Sequence, residues 1–524
     1  MKKIAFVIVS FVILSCAPKI SPYFEQNHYI RNYSIHIQND SLQLYFKTPA
    51  DISYVTDTKE LKKCIRNSKI KLTDPVLIYG KTNDPPYEYF VTVSENKLSN
   101  YSKELVVFDT LVENQTIRFI GNALEKNAKK TLEIDLKNCF KSLEVGPTYR
   151  KQIQTIFDIV QKYQLSNKFY AALQEISDFP SYDKQEEWSK LQMQLTFSSF
   201  LGKNKLYDTY LNQLESRFKP NDTIVKIVKE KSFYNAQALD TILQEAKKHR
   251  IVMINENHFY PNHRILVSDV LEKLKAIGYN YLALEALNTK QDSLLNIPNS
   301  YPTLETGFYT SEQNFSNLIR KAKALGFQFI AYENTDNHKN REVGQAENIY
   351  NKSFLIDPNA KVVVLAGIDH ILEKPTSQGK EWMATIFKNK YKIDPLTISQ
   401  THLNAYRNQI EANYGIINSN HFKDTRWNAV DYLVLNNNTK EPIEFPFSAF
   451  EYQNTTKTDI QIVLFLGNEI KNPYDFSKKI PYFTTIIPSS KKLKVPLDRS
   501  KETFLLAFDK NGNQVDKQII CARN

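Results

Sequence analysis

Residues 250–287 read RIVMINENHFYPNHRILVSDVLEKLKAIGYNYLALEAL. A short apolar run leads into a stretch with helical spacing, which stops at Gly278 and gives way to a second apolar run. The unit then recurs: SEQNFSNLIRKAKALG (311–326) precedes FQFIAYEN (327–334), and KVVVLAGI (361–368) and PLTISQ (395–400) follow. Strands apolar on both faces must be covered on both faces, and helices between them do the covering. Gly278 and Gly326 stand where a helix C-cap needs a left-handed residue. The stretch 235–415 is therefore expected to be an α/β domain, a central mostly parallel sheet with helices on both faces.

In such a sheet ligands bind beyond the carboxyl ends of the strands. The first predicted strand exits into Glu256 and His258, the second into Glu285, the third into Glu333, and the fourth into Asp369 and His370. The helix opening at NREVGQAENI (340–349) brings Arg341 and Glu342 to the same edge, where a guanidinium can grip a carboxylate in two-pronged fashion. Convergent carboxylates and imidazoles at a cleft are the signature of a titratable site. A salt-bridge network with Arg264, Arg341 and Lys374 is the competing reading. Asn262 and Ser311 read as helix caps, and His263, His338 and His402 as surface residues.

Outward from this domain the pattern changes. Residues 26–146 alternate in strand fashion, as in PVLIYGKT and YEYFVTVSEN, with LEIDLKNCFKSLEV as a closing helix, and predict an α+β or β-rich domain. Residues 147–234 carry helical spacing, with NKFYAAL at Asn167 echoed by NKLYDTYL at Asn204; a helical bundle or a two-helix repeat linker both fit. Residues 420–524 alternate again and predict a β-sandwich with a hairpin turn at Asp509 to Asn513.

The chain opens with Lys2 and Lys3, then an apolar run over 4–14 broken only by Ser10, then Ser15-Cys16-Ala17-Pro18. The run is shorter than the roughly 20 residues a bilayer span needs, and it reads as a signal peptide over 1–16. Ser15-Cys16 resembles a bacterial lipobox. It implies lipidation of Cys16 and an extracytoplasmic, membrane-anchored lipoprotein of the cell envelope. In an oxidising compartment Cys64 and Cys139 become a candidate disulfide pair, leaving Cys521 alone. The net charge of +11 is spread along 524 residues without a dense basic block, so the membrane is the expected partner and nucleic acid is not.

The motifs IVMINENHFYPNHR, LALEAL, IAYEN, REVGQAENI and VVVLAGIDH, in this order, resemble the ChaN-like, erythromycin-esterase and TraB/Tiki group over residues 235–400. Asn255 stands where that group has glycine before the Glu-x-His pair. The resemblance implies an α/β sheet with its site at the C-terminal edge, and chemistry drawn from ester hydrolases, metal-dependent peptidases and haem-binding lipoproteins.

Two functions follow as expectations. One is an ester or amide hydrolase acting on a small molecule or peptide, with His258 activating water, Glu256 or Glu285 orienting it, Arg341 facing the developing oxyanion, and His370 as a second acid or base. In a variant of it, His258, Glu285 and His370 hold a divalent metal such as Zn, Mn or Fe. No serine stands in a G-x-S-x-G elbow and no cysteine lies in the central domain, which argues against a covalent nucleophile. The other function is a haem- or iron-binding lipoprotein, with one of the 30 tyrosines as axial ligand.

Overall fold

The computed structural model describes residues 28–520 apart from 32–33, 39–42, 49–52, 56, 73, 96–100, 113–114, 146–155, 180, 182–183, 337, 377–378, 424–426, 439–446, 471–475 and 499–501. Cys16, the predicted signal peptide and Cys521 lie outside the described residues. The chain is a multidomain α/β protein that divides into two compact units, one within 1–157 and 180–188, the other within 158–179 and 189–524. No described helix is long and apolar enough to cross a membrane.

The first unit is built on a five-stranded antiparallel sheet in the order Ser53–Tyr54, Val76–Asn83, Pro86–Glu95, Gln115–Ala123, Val106–Val112. The pleat sends alternate residues to opposite faces. Tyr89, Val91 and Phe119 pack under helix Ala128–Lys141 with Cys139, whereas Phe90 and Ile120 pack under helix Thr58–Asn67 with Cys64. The two thiols therefore sit on opposite faces of one sheet, and the expected disulfide between them does not form.

In the second unit an eight-stranded sheet holds β1 (Phe233–Tyr234), β2 (Ile251–Glu256), β3 (Tyr281–Leu284), β4 (Gln328–Ala331), β5 (Val362–Gly367), β6 (Leu396–Ser399), β7 (Tyr414–Asn418) and β8 (Tyr432–Asn436), in the order β1-β7-β8-β6-β2-β5-β3-β4. Six neighbouring strands, β8 to β4 in that order, are parallel; only β7 runs against them, and β1 against β7. On one face Val252, Ile254, Leu282 and Leu365 meet helices α1 (Asn262–Ala276) and α2 (Gln313–Ala324). On the other, Met253, Ala283 and Val364 meet α3 (Arg341–Lys352) and α4 (Met383–Lys390). Each of the larger of these buried side chains, Val, Ile, Leu or Met, contributes roughly 1.5–3 kcal/mol of transfer free energy, which favours this register over a one-residue slip.

Gly278 and Gly326 adopt φ of +96° and +73°. Their helices close with bonds from Tyr279 N–H to Leu274 O and from Phe327 N–H to Ala322 O, which turn the chain directly into β3 and β4. The cap residues differ from expectation. Asn262 is already the first residue of α1 and spends its amide on Asn436 O, and Glu312, not Ser311, caps α2 through the N–H groups of Asn314 and Phe315.

The C-terminal strands form a four-stranded antiparallel sheet (Phe483–Ile487, Ile460–Leu466, Thr503–Phe508, Gln514–Ile520) and a two-stranded one (Phe447–Gln453 with Lys492–Asp498). They enclose a shared core of Tyr452, Val495, Ile462 and Leu505. Asp509 and Asn513 close the hairpin turn, with Gly512 at φ +78°. This module is tied into the same unit by buried polar bonds. Arg320 of α2 grips Glu469 with both prongs, and Gln461 bonds Tyr170 N–H and Asn167 O at the start of helix Phe169–Asp178.

Candidate functional site

Glu256 is the last residue of β2 and lies in register with Gly367 at the end of β5, while Glu285 follows β3 on the other side of β5. Two strand spacings, about 10 Å, separate their backbones. Glu256 shares the pleat direction of Ile254 and bonds Arg264 of α1; Glu285, just beyond the end of β3, sets its carboxylate against Gly367, where a Cβ on that glycine would stand 2.9 Å from Oε2. The predicted residues therefore converge on the sheet edge as two hydrogen-bonded networks, one on each side of β5.

In the first network the Glu256 carboxylate accepts from Arg264 Nε at 2.8 Å and Nη2 at 3.2 Å, and lies 2.9 Å from His258 Nδ1. Burial alone pushes its carboxyl up, but Arg264 and His258 outweigh burial and hold it down at about 2. Glu256 is thus an anion, and His258 directs Nδ1–H at it, leaving Nε2 as the acceptor nitrogen. The imidazole is 30% exposed and lies flat on Tyr309, with centroids 4.1 Å apart and planes at 17°. Arg264 is fully buried; besides Glu256 it reaches Glu312 Oε2 at 3.1 Å and His258 O at 2.8 Å. Burial dominates at Glu312 and raises it to about 7, despite Arg264 and two backbone donors.

In the second network Arg341 is the hub. Its Nη2 donates to Glu285 at 2.7 Å and to Glu333 at 2.5 Å, and its Nε to Glu333 at 2.9 Å. Gln345 and Asn334 N–H fix the Glu333 carboxylate further. His370 is buried between Glu342 (Nδ1 to Oε2, 2.8 Å) and Glu285 (Nε2 to Oε1, 3.3 Å). Burial pulls its pKa down, but the two carboxylates prevail and raise it to about 9. Nε2 also lies 3.1 Å from Arg341 Nη1, and the tautomer of the ring decides which of Glu285 and Arg341 it bonds. Glu285, pushed up by burial, is brought down to about 2 chiefly by His370, with His258 and Gly367 N–H adding to it.

Every predicted site residue from Glu256 to His370 thus takes part in one network or the other, and no hydrogen bond joins the two. Asp369 stands apart, exposed in the turn after β5. The competing salt-bridge reading holds for Arg264 and Arg341 but not for Lys374, which bonds Asn428. The metal set of His258, Glu285 and His370 does not assemble. His370 turns its ring nitrogens to Glu342 and Glu285, and among the described residues no His, Cys, Asp or Glu cluster is arranged to hold an ion.

Tyr309 and Glu312 come from the connection 288–312, whose sequence carries no periodic signal. The one hint was an acidic residue directly before an amphipathic helix. His263 is not a surface residue: it is fully buried, accepts from Asn257 N–H at 3.0 Å, faces Asn404 at 3.3 Å, and burial lowers it to about 4. His402 is half-buried and bonded to Ser399, while His338 is exposed as expected. Asn255, at the glycine position of the resemblance, is fully buried. Its amide donates to Ile368 O and Thr401 and accepts from Gln400 N–H, joining the ends of β2, β5 and β6.

No family model and no curated protein matches the chain. Among solved structures it is similar to the type III effector HopBA1, at 15% identity over 37% of this chain and 91% of that one, with a TM-score of 0.27. It is also similar to the C-terminal region of Pasteurella multocida toxin, described as having a thiol-protease like catalytic triad (12% identity, 56% of this chain, 39% of that one, TM-score 0.25). A third neighbour is RRSP, a MARTX toxin effector domain from Vibrio vulnificus CMCP6 (13%, 45%, 56%, 0.22). Of the two toxin chains the protein spans well under two thirds. At these TM-scores none of the three likenesses carries an argument about chemistry.

Proposed function

We propose that the chain is an ester or amide hydrolase of the ChaN-like, erythromycin-esterase and TraB/Tiki kind, held outside the cytoplasm by lipid on Cys16. The observation that carries the reading is the Glu256–His258 pair: an ionised, buried carboxylate 2.9 Å from Nδ1 of a partly exposed imidazole, with Tyr309 fixing the ring plane. Such a pair sets the tautomer and stabilises the imidazolium that forms when Nε2 takes a proton. Nε2 removes a proton from water as its oxygen attacks the scissile carbonyl. The same nitrogen then returns that proton to the departing alcohol or amine.

Arg341, its side chain 51% exposed, is the cation that faces the negative charge developing on the carbonyl oxygen. Glu285 and Glu333 aim it. His370, which keeps its proton at neutral pH, is in this reading a positioning residue: it clamps Glu285 and Glu342 and does not shuttle protons.

The test uses the full chain and p-nitrophenyl acetate as probe. Glu256→Gln and His258→Ala are each expected to lower the rate by ~100-fold or more, the scale of general acid–base catalysis. Wild-type rates in both variants would sink the proposal.

A further inference from the structure

At its amino edge, opposite the candidate site, the parallel sheet carries an apolar tip that no part of the proposed chemistry uses. Leu355 and Ile356 follow one another in the connection from α3 to β5 and are 64% and 71% exposed. Scattered single aliphatics on a surface need no explanation, but two in succession make a continuous projection. The backbone beneath them is fixed. Leu355 N–H donates to Tyr350 O at 3.0 Å, and Ile356 and Asp357 N–H both reach Ser353 O, at 3.0 and 2.8 Å. Phe354 anchors the turn from within, packed against Tyr350 and Phe387.

Three exposed cations accompany the tip. Arg250, just before β2, lays its guanidinium 4.8 Å from the Phe354 ring centroid and bonds Pro358 O in the same connection. Lys390 closes α4 beside Tyr391, whose ring stacks on Tyr350 at 4.1 Å, and Lys392 follows before β6. Strands β6, β2 and β5 are neighbours, so the segments that carry these charges enter the sheet within two strand spacings, about 10 Å, of the tip's own strand. That is about one Debye length at physiological salt. Among the described residues none of the three cations has a carboxylate within ion-pairing distance. Asp394 is paired with Lys388 at 2.7 Å, and Asp357 is the acid that remains beside the tip, so the balance is positive. Two side chains fall far short of the ~800 Å² per partner that a stable protein interface buries, and a second copy would bring like charges together. A shallow apolar projection among cations fits a bilayer with anionic headgroups, where the aliphatics bury among acyl chains and the cations meet phosphates.

We propose that this amino edge is a docking surface for an anionic lipid bilayer, with Leu355 and Ile356 inserted and Arg250, Lys390 and Lys392 on the headgroups. A bilayer docked there lies away from the carboxyl edge and leaves the candidate site open to solvent. The inference stands whether or not that site hydrolyses a substrate. The test is fluorescence quenching in the full chain. Ile356→Trp puts a reporter on the tip and Asp369→Trp one on the opposite edge. Each is mixed with vesicles of phosphatidylglycerol and phosphatidylcholine carrying bromine on their acyl chains, and the wild-type signal is subtracted. Emission of the Ile356→Trp reporter is expected to fall to about half or less, with little change for Asp369→Trp. A lipid anchor at the N-terminus contributes equally to both, so the contrast reads the docked face. Vesicles of phosphatidylcholine alone are expected to weaken the tip's partition about tenfold or more, and so is the double variant Lys390→Glu, Lys392→Glu on mixed vesicles, since each basic residue at such a surface contributes about fivefold. An unquenched tip, equal quenching at both edges, or a partition indifferent to lipid charge and to the two lysines overturns the inference. A tip that instead pairs two copies, seen as a dimer in sedimentation without vesicles, overturns it as well.

Discussion

The backbone N–H of Gly367 donates to the Glu285 carboxylate at a place where a Cβ would stand 2.9 Å from Oε2. Glycine at the end of β5 is what lets Glu285 lie against the strand and reach both Arg341 and His370. Gly367→Ala leaves the fold intact, because the obstacle is the far end of a flexible side chain, and stability is expected to change by less than about 1 kcal/mol. The carboxylate must move, however. Displacing a positioned group by an ångström costs ~100-fold in rate, so hydrolysis of p-nitrophenyl acetate is expected to fall ~10- to 100-fold. The His370 titration midpoint followed by NMR should drop with it. A variant with the wild-type midpoint contradicts the arrangement whatever the rate.

Arg264 is bonded to two buried carboxylates, Glu256 and Glu312. Arg264→Met strands both. Removing one partner of a buried ion pair costs about 3–5 kcal/mol, and part of the relief comes from protonating Glu312, which already stands at about 7. Arg264→Lys is expected to recover little, since an ammonium cannot reproduce the forked contacts to Glu256, Glu312 and His258 O. Urea unfolding of the three proteins decides it; a loss under about 1 kcal/mol in Arg264→Met contradicts the prediction.

The sheet and its covered faces were legible because parallel strands are written as apolar runs and their helices end in glycine. The strand exits placed Glu256, His258, Glu285, Glu333 and His370 at one edge, and the α3 opening placed Arg341 and Glu342 beside them. Their division into two networks was not legible. Which partner a strand-end carboxylate takes depends on the turns and helices beyond it: Glu256 binds Arg264 of α1, and Glu285 binds Arg341 of α3. Cys64 and Cys139 read as a pair because they share a domain, yet each sits in a helix that covers a different face of the sheet. His263 read as exposed because no partner stands at a telling spacing from it, yet it is fully buried between Asn257 and Asn404.

Asn255 is expected to be structural despite standing at the glycine position of the resemblance. Asn255→Gly deletes donors to Ile368 O at 2.7 Å and Thr401 Oγ1 at 2.8 Å and the acceptor for Gln400 N–H at 2.7 Å, all in the core beneath the site. Buried groups left unpaired cost about 1–3 kcal/mol each, and glycine adds backbone entropy to the unfolded chain. A loss of at least ~3 kcal/mol in denaturant unfolding is the expected result. Asn255→Asp should do no better, since it turns the donor into a buried charge facing a carbonyl. A fully stable Asn255→Gly protein would remove the amide from this role.

The pH dependence of stability follows from His370. Its folded pKa, about 9, lies above the 6.5 of an ordinary histidine, so the folded chain binds this proton more tightly than the unfolded chain. The stabilisation is complete below about pH 6.5 and drains away as pH rises through about 9, with a ceiling on the order of 3 kcal/mol. His263 acts at the other end: lowered to about 4, it costs stability as pH falls from about 6.5 toward 4. Urea unfolding of wild type between pH about 6 and 9.5 is expected to show the alkaline decline, and His370→Gln to lack it while keeping the acid limb. Equal alkaline slopes in the two proteins would mean that Glu285 and Glu342 do not hold a proton on His370.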